Sequence, residues 1–243
     1  MNKNRIKIFS DFDGTATKFD VGHLIFKTFA GEGIRPIIQD LKNNLISSKE
    51  LLTRECELIN IDRIEDLYNL IDKQELDDFF VEFCSFTESN GIELFLVSDG
   101  LDVYIKRILA KYELNYISYY ANHFEYKTSD EGRILFIPSF PYTDSECHKC
   151  GNCKRNHLLY NSEDEDFVIY IGDGYSDRCP VEFADLVFAK RELASYCNSK
   201  KIPFTEFTNF NDIKDKVALL LEKKRLKRRR QAELRRKEIF MQG

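Results

Sequence analysis

The stretch Lys7-Ile-Phe-Ser-Asp11-Phe-Asp13-Gly-Thr15 decides the fold of this chain. Apolar and β-prone residues from position 6 to position 10 run into two carboxylates two positions apart, and a glycine and a threonine follow. This order is typical of a buried strand that presents polar side chains at its carboxyl end. Because residues i and i+2 of an extended chain leave on the same face, Asp11 and Asp13 project together.

Two carboxylates on one face repel each other unless a cation or a proton lies between them, so the pair indicates a metal site or a shared proton. Gly14 permits a tight turn and a close approach of the backbone to a ligand. Thr15 adds a hydroxyl group and a potential helix cap. The alternative is an acidic loop in which Asp and Gly are simply turn formers. The partners that the rest of the chain supplies decide between the two.

Length and composition describe a chain that can build a large core. It has 243 residues, of which 43% are hydrophobic and 13% aromatic. Neither a signal peptide nor a run of about eighteen apolar residues is present, so we expect a cytoplasmic protein without membrane insertion. Seven cysteines are an odd number for a disulfide framework, and we expect reduced thiols.

Apolar residues recur at helical spacing from Lys18 to Phe86, where no strand is indicated. Ser47-Ser-Lys-Glu50 has the order of a helix capping box ahead of Leu51 and Leu52. Further helical patterns cover 63–71 and 74–86. The stretch therefore predicts four or five helices packed on one another.

Two more apolar runs end in polar residues. Residues 92–97 lead into Ser98-Asp99-Gly100, and residues 167–171 lead into Gly172-Asp173-Gly-Tyr-Ser-Asp177. A hairpin is predicted over 117–137, with its turn at 129–132, and short strands at 186–188 and 204–207. Strands and helices alternate through the second half, so we predict an α/β fold, a Rossmann-like three-layer αβα core with a parallel sheet.

In such sheets the ligand site lies outside the carboxyl ends of the strands, which is where Asp11, Asp13, Ser98 and Asp173 are predicted to lie. Carboxylates from these positions, with Asp177 behind them, suit Mg²⁺, which pairs with phosphate. A serine and a lysine nearby can hold the phosphate oxygens. One aspartate can attack phosphorus while its neighbour moves the proton.

Four segments resemble, in order, the motifs of the haloacid dehalogenase superfamily: Asp11-Phe-Asp-Gly-Thr15, Ser98-Asp-Gly100, Lys154, and Gly172-Asp-Gly-Tyr-Ser-Asp177. The resemblance implies that Asp11 is the nucleophile and Asp13 the general acid and base. Ser98, Asp99 and Lys154 would hold the phosphate. Asp11, Asp13 through its main-chain carbonyl, and Asp173 with Asp177 would hold Mg²⁺. The implied domains are a core of residues 1–17 and 87–221, a helical cap of residues 18–86, and a basic tail of residues 222–243.

Shorter features are similar to the phosphoserine-phosphatase-like branch, and within it to the family of 2-hydroxy-3-keto-5-methylthiopentenyl-1-phosphate phosphatases. These features are Asp20, Cys150-Gly-Asn-Cys153-Lys154 and Ala184-Asp-Leu-Val-Phe-Ala189, with Tyr196-Cys197 and Ile202-Pro203. The resemblance implies a small phosphorylated metabolite as substrate. A phosphoserine phosphatase or a phosphotransferase on the same fold is the alternative.

Three further features have two interpretations each. One interpretation of the cysteine cluster is a zinc site formed by Cys147, Cys150 and Cys153 with His148, His157 or Cys179. A second CxxC pair is absent, so we favour reduced thiols in the loop before Lys154. Asp20, His23 and Arg35 are candidate substrate contacts; for His23 and Arg35 we favour solvated helix positions.

The basic tail is the third feature with two interpretations. Residues 222–243 hold ten Lys or Arg and three Glu, a net charge of +7, so residues 1–221 carry −12 of the total of −5. We favour a solvated or frayed C-terminal helix, in contact with the acidic body of the same or another subunit, over binding to RNA, DNA or an anionic membrane surface. In the rival view the chain is a nucleic-acid-binding protein that acts through this tail.

Overall fold

The computed structural model of the chain describes residues 5–147 and 149–242, with side chains up to residue 239. The strands are β1 (Ile6–Ser10), β2 (Glu93–Leu101), β3 (Ser118–Thr128), β4 (Ile134–Ser139), β5 (Phe167–Gly172), β6 (Leu186–Ala189) and β7 (Thr205–Glu206). The helices are α1 (Val21–Ala30), α2 (Ile34–Lys42), α3 (Ser48–Glu57), α4 (Ile64–Asp72), α5 (Phe80–Ser89), α6 (Asp102–Lys111), α7 (Lys154–Tyr160), α8 (Arg191–Lys200), α9 (Phe210–Leu221) and α10 (Arg230–Gln242).

The described chain forms two compact units. The first comprises residues 5–16, 76–97 and 154–242, and the second residues 17–75 and 98–153. Residues 76–86, which the sequence assigned to the cap, group with the first unit. The functional division into core, cap and tail stays a prediction.

The first unit is built on a parallel sheet with the strand order β2-β1-β5-β6-β7. Every residue of β1 and β5 is buried, which is typical of strands covered by helices on both faces. Ser10, the last residue of β1, pairs with Ile171, next to the end of β5, so these two strands end at nearly the same level. On its other side Ser10 pairs with Leu96, and β2 continues to Leu101. The predicted α/β fold with a parallel sheet is confirmed.

Phenylalanine packing fixes helices α5 and α9 of the first unit. The ring of Phe210 lies 4.8 Å from that of Phe80 and 5.1 Å from that of Phe83, measured between centroids. The sequence predicted a helix from position 74, but α5 begins only at Phe80. The reason is Asp77, whose backbone N–H donates to the carbonyl of Ala16 and whose carboxylate accepts from the N–H of Phe210.

The second unit contains α1 to α4, α6 and the β3–β4 hairpin. The hydroxyl of Ser47 accepts from the N–H of Glu50 at 3.1 Å, so the predicted start of α3 is confirmed. Thr128 pairs with Ile134 across the hairpin, which also agrees with the sequence. Gly132 takes the left-handed conformation at its turn (φ +82°), where glycine is the favoured residue. No described helix has the length and apolar character that crossing a bilayer requires.

The basic C-terminus ends in α10, which a buried ion pair holds against the first unit. Both terminal nitrogens of Arg236 serve as donors: one to the carbonyl of Phe183, the other to the two oxygens of Asp185, at 3.1 and 3.2 Å. The side chain of Asp185 is fully buried and that of Arg236 is 5% exposed. The tail therefore contacts the acidic body of its own chain, one of the arrangements that the sequence suggested.

Replacing Arg236 by alanine should destabilise the protein by about 3 kcal/mol, because it leaves the buried carboxylate of Asp185 without its cation. Urea unfolding followed by circular dichroism measures the change. The matched control is Arg235→Ala, which removes an exposed arginine that pairs with Glu182 at 2.7 Å and should cost less than about 1 kcal/mol. Equal losses in the two variants would contradict the role given to Arg236.

A buried acid in α3 makes the stability of the second unit depend on pH. Glu55 is 6% exposed. Burial, and then the charge of Asp20, raises the pKa of Glu55 to about 8. In the unfolded chain the same carboxyl group titrates near its ordinary value of about 4.3. Between these two pH values the folded state therefore binds more protons than the unfolded state.

The free energy of unfolding should consequently fall, by roughly 4–5 kcal/mol from this group, as the pH rises from about 4.3 to about 8. Glu55→Gln should remove this decline and leave the variant more stable than wild type at pH 8. Urea unfolding at several pH values measures it. Glu57→Gln, at an exposed position of the same helix, is the control and should retain the wild-type decline. Parallel pH curves for wild type and Glu55→Gln would show the pKa assignment to be wrong.

Candidate active site

The first strand delivers Asp11 to the carboxyl edge of the sheet. The N–H of Asp11 donates to the carbonyl of Ile171 at 2.9 Å, which holds the residue at the end of β5. The chain then turns through Gly14, whose φ of +68° disfavours other residues. A Cβ atom at Gly14 would lie 2.9 Å from Asp173 Oδ2 and from Arg191 Nη1. The glycine therefore lets the turn lie directly against Asp173.

Asp177 organises the turn that follows β5. Its Oδ2 accepts from the N–H groups of Asp173 and Gly174, both at 3.0 Å. Its Oδ1 accepts from the hydroxyl of Tyr170 at 2.6 Å and from Lys154 Nζ at 2.8 Å. With four donors and no exposure, this carboxylate positions the turn and the lysine.

Lys154 brings a positive charge into the cluster from the first turn of α7. It is 2% exposed, and its Nζ lies 2.5 Å from Asp11 Oδ1. Burial lowers the pKa of Lys154, but the charges of Asp11 and Asp177 outweigh burial, so the pKa lies above its ordinary value. The amine is thus a permanent cation in contact with two carboxylates.

The carboxylates of the cluster are crowded. Oxygen atoms of Asp11, Asp173 and Asp177 lie within 4.8 Å of one another. Burial, and then the charge of Asp177, raises the pKa of Asp11 well above its ordinary value, although Lys154 opposes the shift. The same two causes raise the pKa of Asp173. Negative charge is therefore in excess here, and the cluster has the composition of a cation site.

The donor atoms fit a hard divalent ion. Carboxylate oxygens are the ligands that Mg²⁺ and Ca²⁺ take, whereas thiols and imidazoles are absent from this set of three described residues. Thr15 Oγ1 donates to Asp173 Oδ1 at 3.2 Å and orients that carboxylate. The half-buried Asp13 is predicted to contribute its main-chain carbonyl.

The second unit contains the other predicted phosphate-binding residues, Ser98 and Asp99. Ser98 is 1% exposed, and its hydroxyl accepts from the N–H of Gly100 at 3.0 Å. The amide of Asn152 donates to the carbonyl of Ser98 at 2.7 Å, and the N–H of Asn152 donates to Asp99 Oδ1 at 2.8 Å. Asn122 donates to the carbonyl of Asp99 at 2.7 Å. Two buried asparagines therefore hold this loop.

The candidate substrate contacts of the cap have structural partners in the second unit. Asp20 caps α1 and accepts from the N–H of His23 at 2.7 Å. The ring of His23 projects from an exposed helix position. Arg35 pairs with Glu32 and its side chain is 77% exposed. A role in substrate binding stays a prediction for all three residues.

The described cysteines do not join the set of metal-ligating side chains. Within the described residues that set consists of the three aspartates. Burial lowers the pKa of His157 to about 4, which keeps its imidazole neutral. His148, named with the cysteines, lies outside the described residues.

Sequence reasoning missed the residues that support the site. The sequence analysis did not single out four residues that contact candidate site residues, namely Tyr170, Arg191, Asn122 and Asn152. For Arg191 and Asn152 the sequence contains a pattern that could have identified them. Arg191 is the second residue after the carboxyl end of β6, and Asp11 and Asp173 are the first residues after the carboxyl ends of β1 and β5. Asn152 precedes Lys154 by two residues within a motif that was quoted for other reasons.

Comparison with known sequences gives consistent matches over most of the chain. The family model of haloacid dehalogenase-like hydrolases matches residues 8–179. A 2-hydroxy-3-keto-5-methylthiopentenyl-1-phosphate phosphatase of Bacillus mycoides is 30% identical over 225 residues, which cover 90% of this chain and 99% of that protein. The protein of the same name from Bacillus cereus is also 30% identical, over 230 residues.

Solved structures share the fold. A phosphoserine phosphatase with an analogue of its phospho-aspartyl intermediate superposes with a TM-score of 0.65 and 16% identity, covering 88% of this chain and 99% of its own. A hydrolase of the same broad family from Salmonella enterica serovar Typhi has a TM-score of 0.68 and 17% identity, covering 93% of this chain and 74% of its own.

Arg191 should oppose the binding of a divalent cation, because its Nη1 donates to Asp173 Oδ2 at 2.8 Å and so places a positive charge on an atom of the candidate metal-binding set. Arg191→Gln should therefore tighten the binding of Mg²⁺ several-fold, as measured by isothermal titration calorimetry at constant pH. The control is Arg178→Gln, which removes an arginine paired with Glu192 at 2.6 Å and should leave the affinity unchanged. Weaker binding by Arg191→Gln would contradict this prediction.

Proposed function

Because the chain belongs to the haloacid dehalogenase-like hydrolases, we propose that it is a Mg²⁺-dependent phosphomonoesterase that acts through a phosphorylated Asp11. The single observation that supports this most directly is the position of Lys154 Nζ, 2.5 Å from Asp11 Oδ1 and 2.8 Å from Asp177 Oδ1. A buried ammonium beside a buried carboxylate offers a nucleophile and a phosphate-binding cation at one point.

In the first step a carboxylate oxygen of Asp11 attacks phosphorus and the bond from phosphorus to the ester oxygen breaks. Asp13, two residues further along the chain, gives its proton to the leaving oxygen. Asp11 becomes an acyl phosphate and the alcohol leaves. Lys154 stays protonated and neutralises negative charge on the phosphoryl oxygens.

In the second step Asp13, now a carboxylate, takes a proton from water. The oxygen of that water attacks phosphorus and the bond to Asp11 breaks, which releases phosphate and restores both aspartates. The buried hydroxyl of Ser98 and the neighbouring Asp99 are proposed to hold the phosphate, on the strength of their motif. Asp177 is a positioning residue, since its four hydrogen bonds fix Lys154 and the turn that carries Asp173.

We propose that Mg²⁺ is held by the carboxylates of Asp11 and Asp173 and by the main-chain carbonyl of Asp13. When bound, the ion supplies positive charge that offsets the repulsion between the carboxylates and the phosphate. Thr15 and Gly14 support this site through their closeness to Asp173.

The substrate that we propose is 2-hydroxy-3-keto-5-methylthiopentenyl-1-phosphate or a related phosphorylated metabolite, because relatives at 30% identity carry that activity in their names. Phosphoserine is the second candidate, supported by similarity of fold to phosphoserine phosphatases at 16% identity. An amino-acid substrate requires a cation for its carboxylate, and Arg35 is paired with Glu32 on an exposed surface. We place the enzyme in the cytoplasm, a reducing compartment, because an odd number of cysteines, seven, does not suit a disulfide framework.

A panel of phosphorylated metabolites, assayed for released phosphate with and without Mg²⁺, tests the proposal. Wild type should hydrolyse the methylthiopentenyl phosphate faster than phosphoserine, and removal of Mg²⁺ should abolish turnover. Asp11→Asn should lower kcat at least about 10³-fold, because the amide is not a nucleophile. Acid-quenched protein should carry covalent phosphate in wild type and not in the variant.

The control is Asp62→Asn, at an exposed position of the second unit, which should retain wild-type kinetics. Near-wild-type turnover by Asp11→Asn would refute the covalent mechanism. Phosphate transfer to an added alcohol, in place of release into water, would identify a phosphotransferase. Faster turnover of phosphoserine would favour the second substrate.

A further inference from the structure

Residues 223–230, the basic strap, connect α9 with α10 and read Lys-Lys-Arg-Leu-Lys-Arg-Arg-Arg. Seven of these eight residues are cationic, and the eighth is Leu226. The segment between Lys223 and Arg229 forms neither helix nor strand. A chain of this length spans at most about 25 Å.

Three residues of the basic strap are anchored to the first unit. Leu226 is 7% exposed and faces inward. The guanidinium of Arg229 donates to the carbonyls of Val181 and Glu182, both at 2.7 Å. Arg228 donates to the carbonyl of Asp164. The strap therefore follows a defined path on the surface, whereas the sequence favoured a solvated or frayed end.

The five other cations of the basic strap are exposed, and the four that follow Lys223 are its outward cations. Lys224, Arg225, Lys227 and Arg230 are exposed, and none of them has a carboxylate within 4.0 Å among the residues that the structure describes. The loop that Arg228 contacts has three exposed acids: Glu163, which pairs with Arg5, and Asp164 and Glu165. The acidic body of the chain thus leaves four positive charges of the strap without a paired acid.

We propose that the basic strap binds the sugar–phosphate backbone of single-stranded nucleic acid. In the cytoplasm, where we place the enzyme, this nucleic acid is RNA. A row of outward cations on a fixed path matches a row of phosphates, and a strap held in place loses little conformational freedom on binding. Residues 1–221 carry a net charge of −12 and repel a polyanion, which confines contact to the strap.

Two features set the kind of binding. The strap has no aromatic residue on which a base can stack, so binding depends on charge and not on base sequence. Its single apolar side chain, Leu226, is buried, so the strap has nothing to insert into a bilayer. These features favour a nucleic-acid backbone over a membrane surface.

Fluorescence anisotropy with a short labelled single-stranded RNA, and with DNA of the same sequence, tests the proposal on the full-length protein. Four backbone contacts predict a slope of log K against log salt of about −2.8, that is, about 50-fold weaker binding at 200 mM than at 50 mM salt. Because no base is read, RNA and DNA should bind within a few-fold of each other.

The strap variant changes the four outward cations to glutamine: Lys224, Arg225, Lys227 and Arg230. The control variant makes the same change at four exposed lysines elsewhere in the chain, namely Lys73, Lys127, Lys200 and Lys216. The strap variant should bind at least about tenfold more weakly than the control, with a slope near zero. Asp164→Asn combined with Glu165→Gln should strengthen binding.

Phosphatase activity and thermal unfolding of both variants serve as checks of folding, since the strap belongs to no part of the catalytic cluster. Equal loss of affinity in strap and control variants would overturn the proposal, because net charge alone would then explain binding. It would also be overturned if wild type bound phosphatidylserine vesicles but not RNA, or if RNA affinity were independent of salt.

Discussion

The contact of one buried ammonium with two buried carboxylates is the interaction on which the site depends. Lys154 and its partners Asp11 and Asp177 are at most 5% exposed, so none of the three can rely on water for solvation. A buried charge is tolerated only where partners replace its hydration, and breaking such a pair costs several kcal/mol. The conformation of the site is therefore tied to the stability of the fold around it.

The parallel sheet makes this contact available. Asp11 follows β1 and Asp173 follows β5, and these neighbouring strands end at nearly the same level because Ser10 pairs with Ile171. Residues separated by more than 140 positions in sequence therefore meet without strain. Lys154, the first residue of α7, donates a hydrogen bond to Asp11 at the same edge. It also donates to Asp177 Oδ1, the atom that accepts from the hydroxyl of Tyr170.

Electrostatic crowding recurs in the molecule and has different outcomes. Three carboxylates within 4.8 Å of one another give the first unit a cluster with the composition of a cation site, where Lys154 neutralises part of the charge. Glu55 in the second unit stays protonated, since burial and Asp20 raise its pKa to about 8. Asp185 is neutralised by Arg236 of the C-terminal helix α10. The outward cations of the neighbouring basic strap stay exposed. The outcome in each case depends on whether an opposite charge is within reach.

The sequence by itself determined the strands, their polar ends, the α/β class and the family, since apolar periodicity and short motifs are local and survive without a partner. Asp11, Asp13, Ser98, Lys154 and Asp173 could be named from it. It did not predict the hydrogen bonds that Tyr170, Asn152 and Arg191 make to candidate site residues. It also did not predict the ion pair of Asp185 with Arg236.

Only the tertiary structure decided those contacts, and it also moved the start of α5 to Phe80, where Asp77 binds the beginning of α9. It changed the interpretation of the basic tail as well, since Leu226 and Arg229 anchor a segment that composition alone describes as solvated. The physical reason is common to all: hydrogen bonds and ion pairs between residues far apart in sequence depend on distance and burial, which no local pattern records.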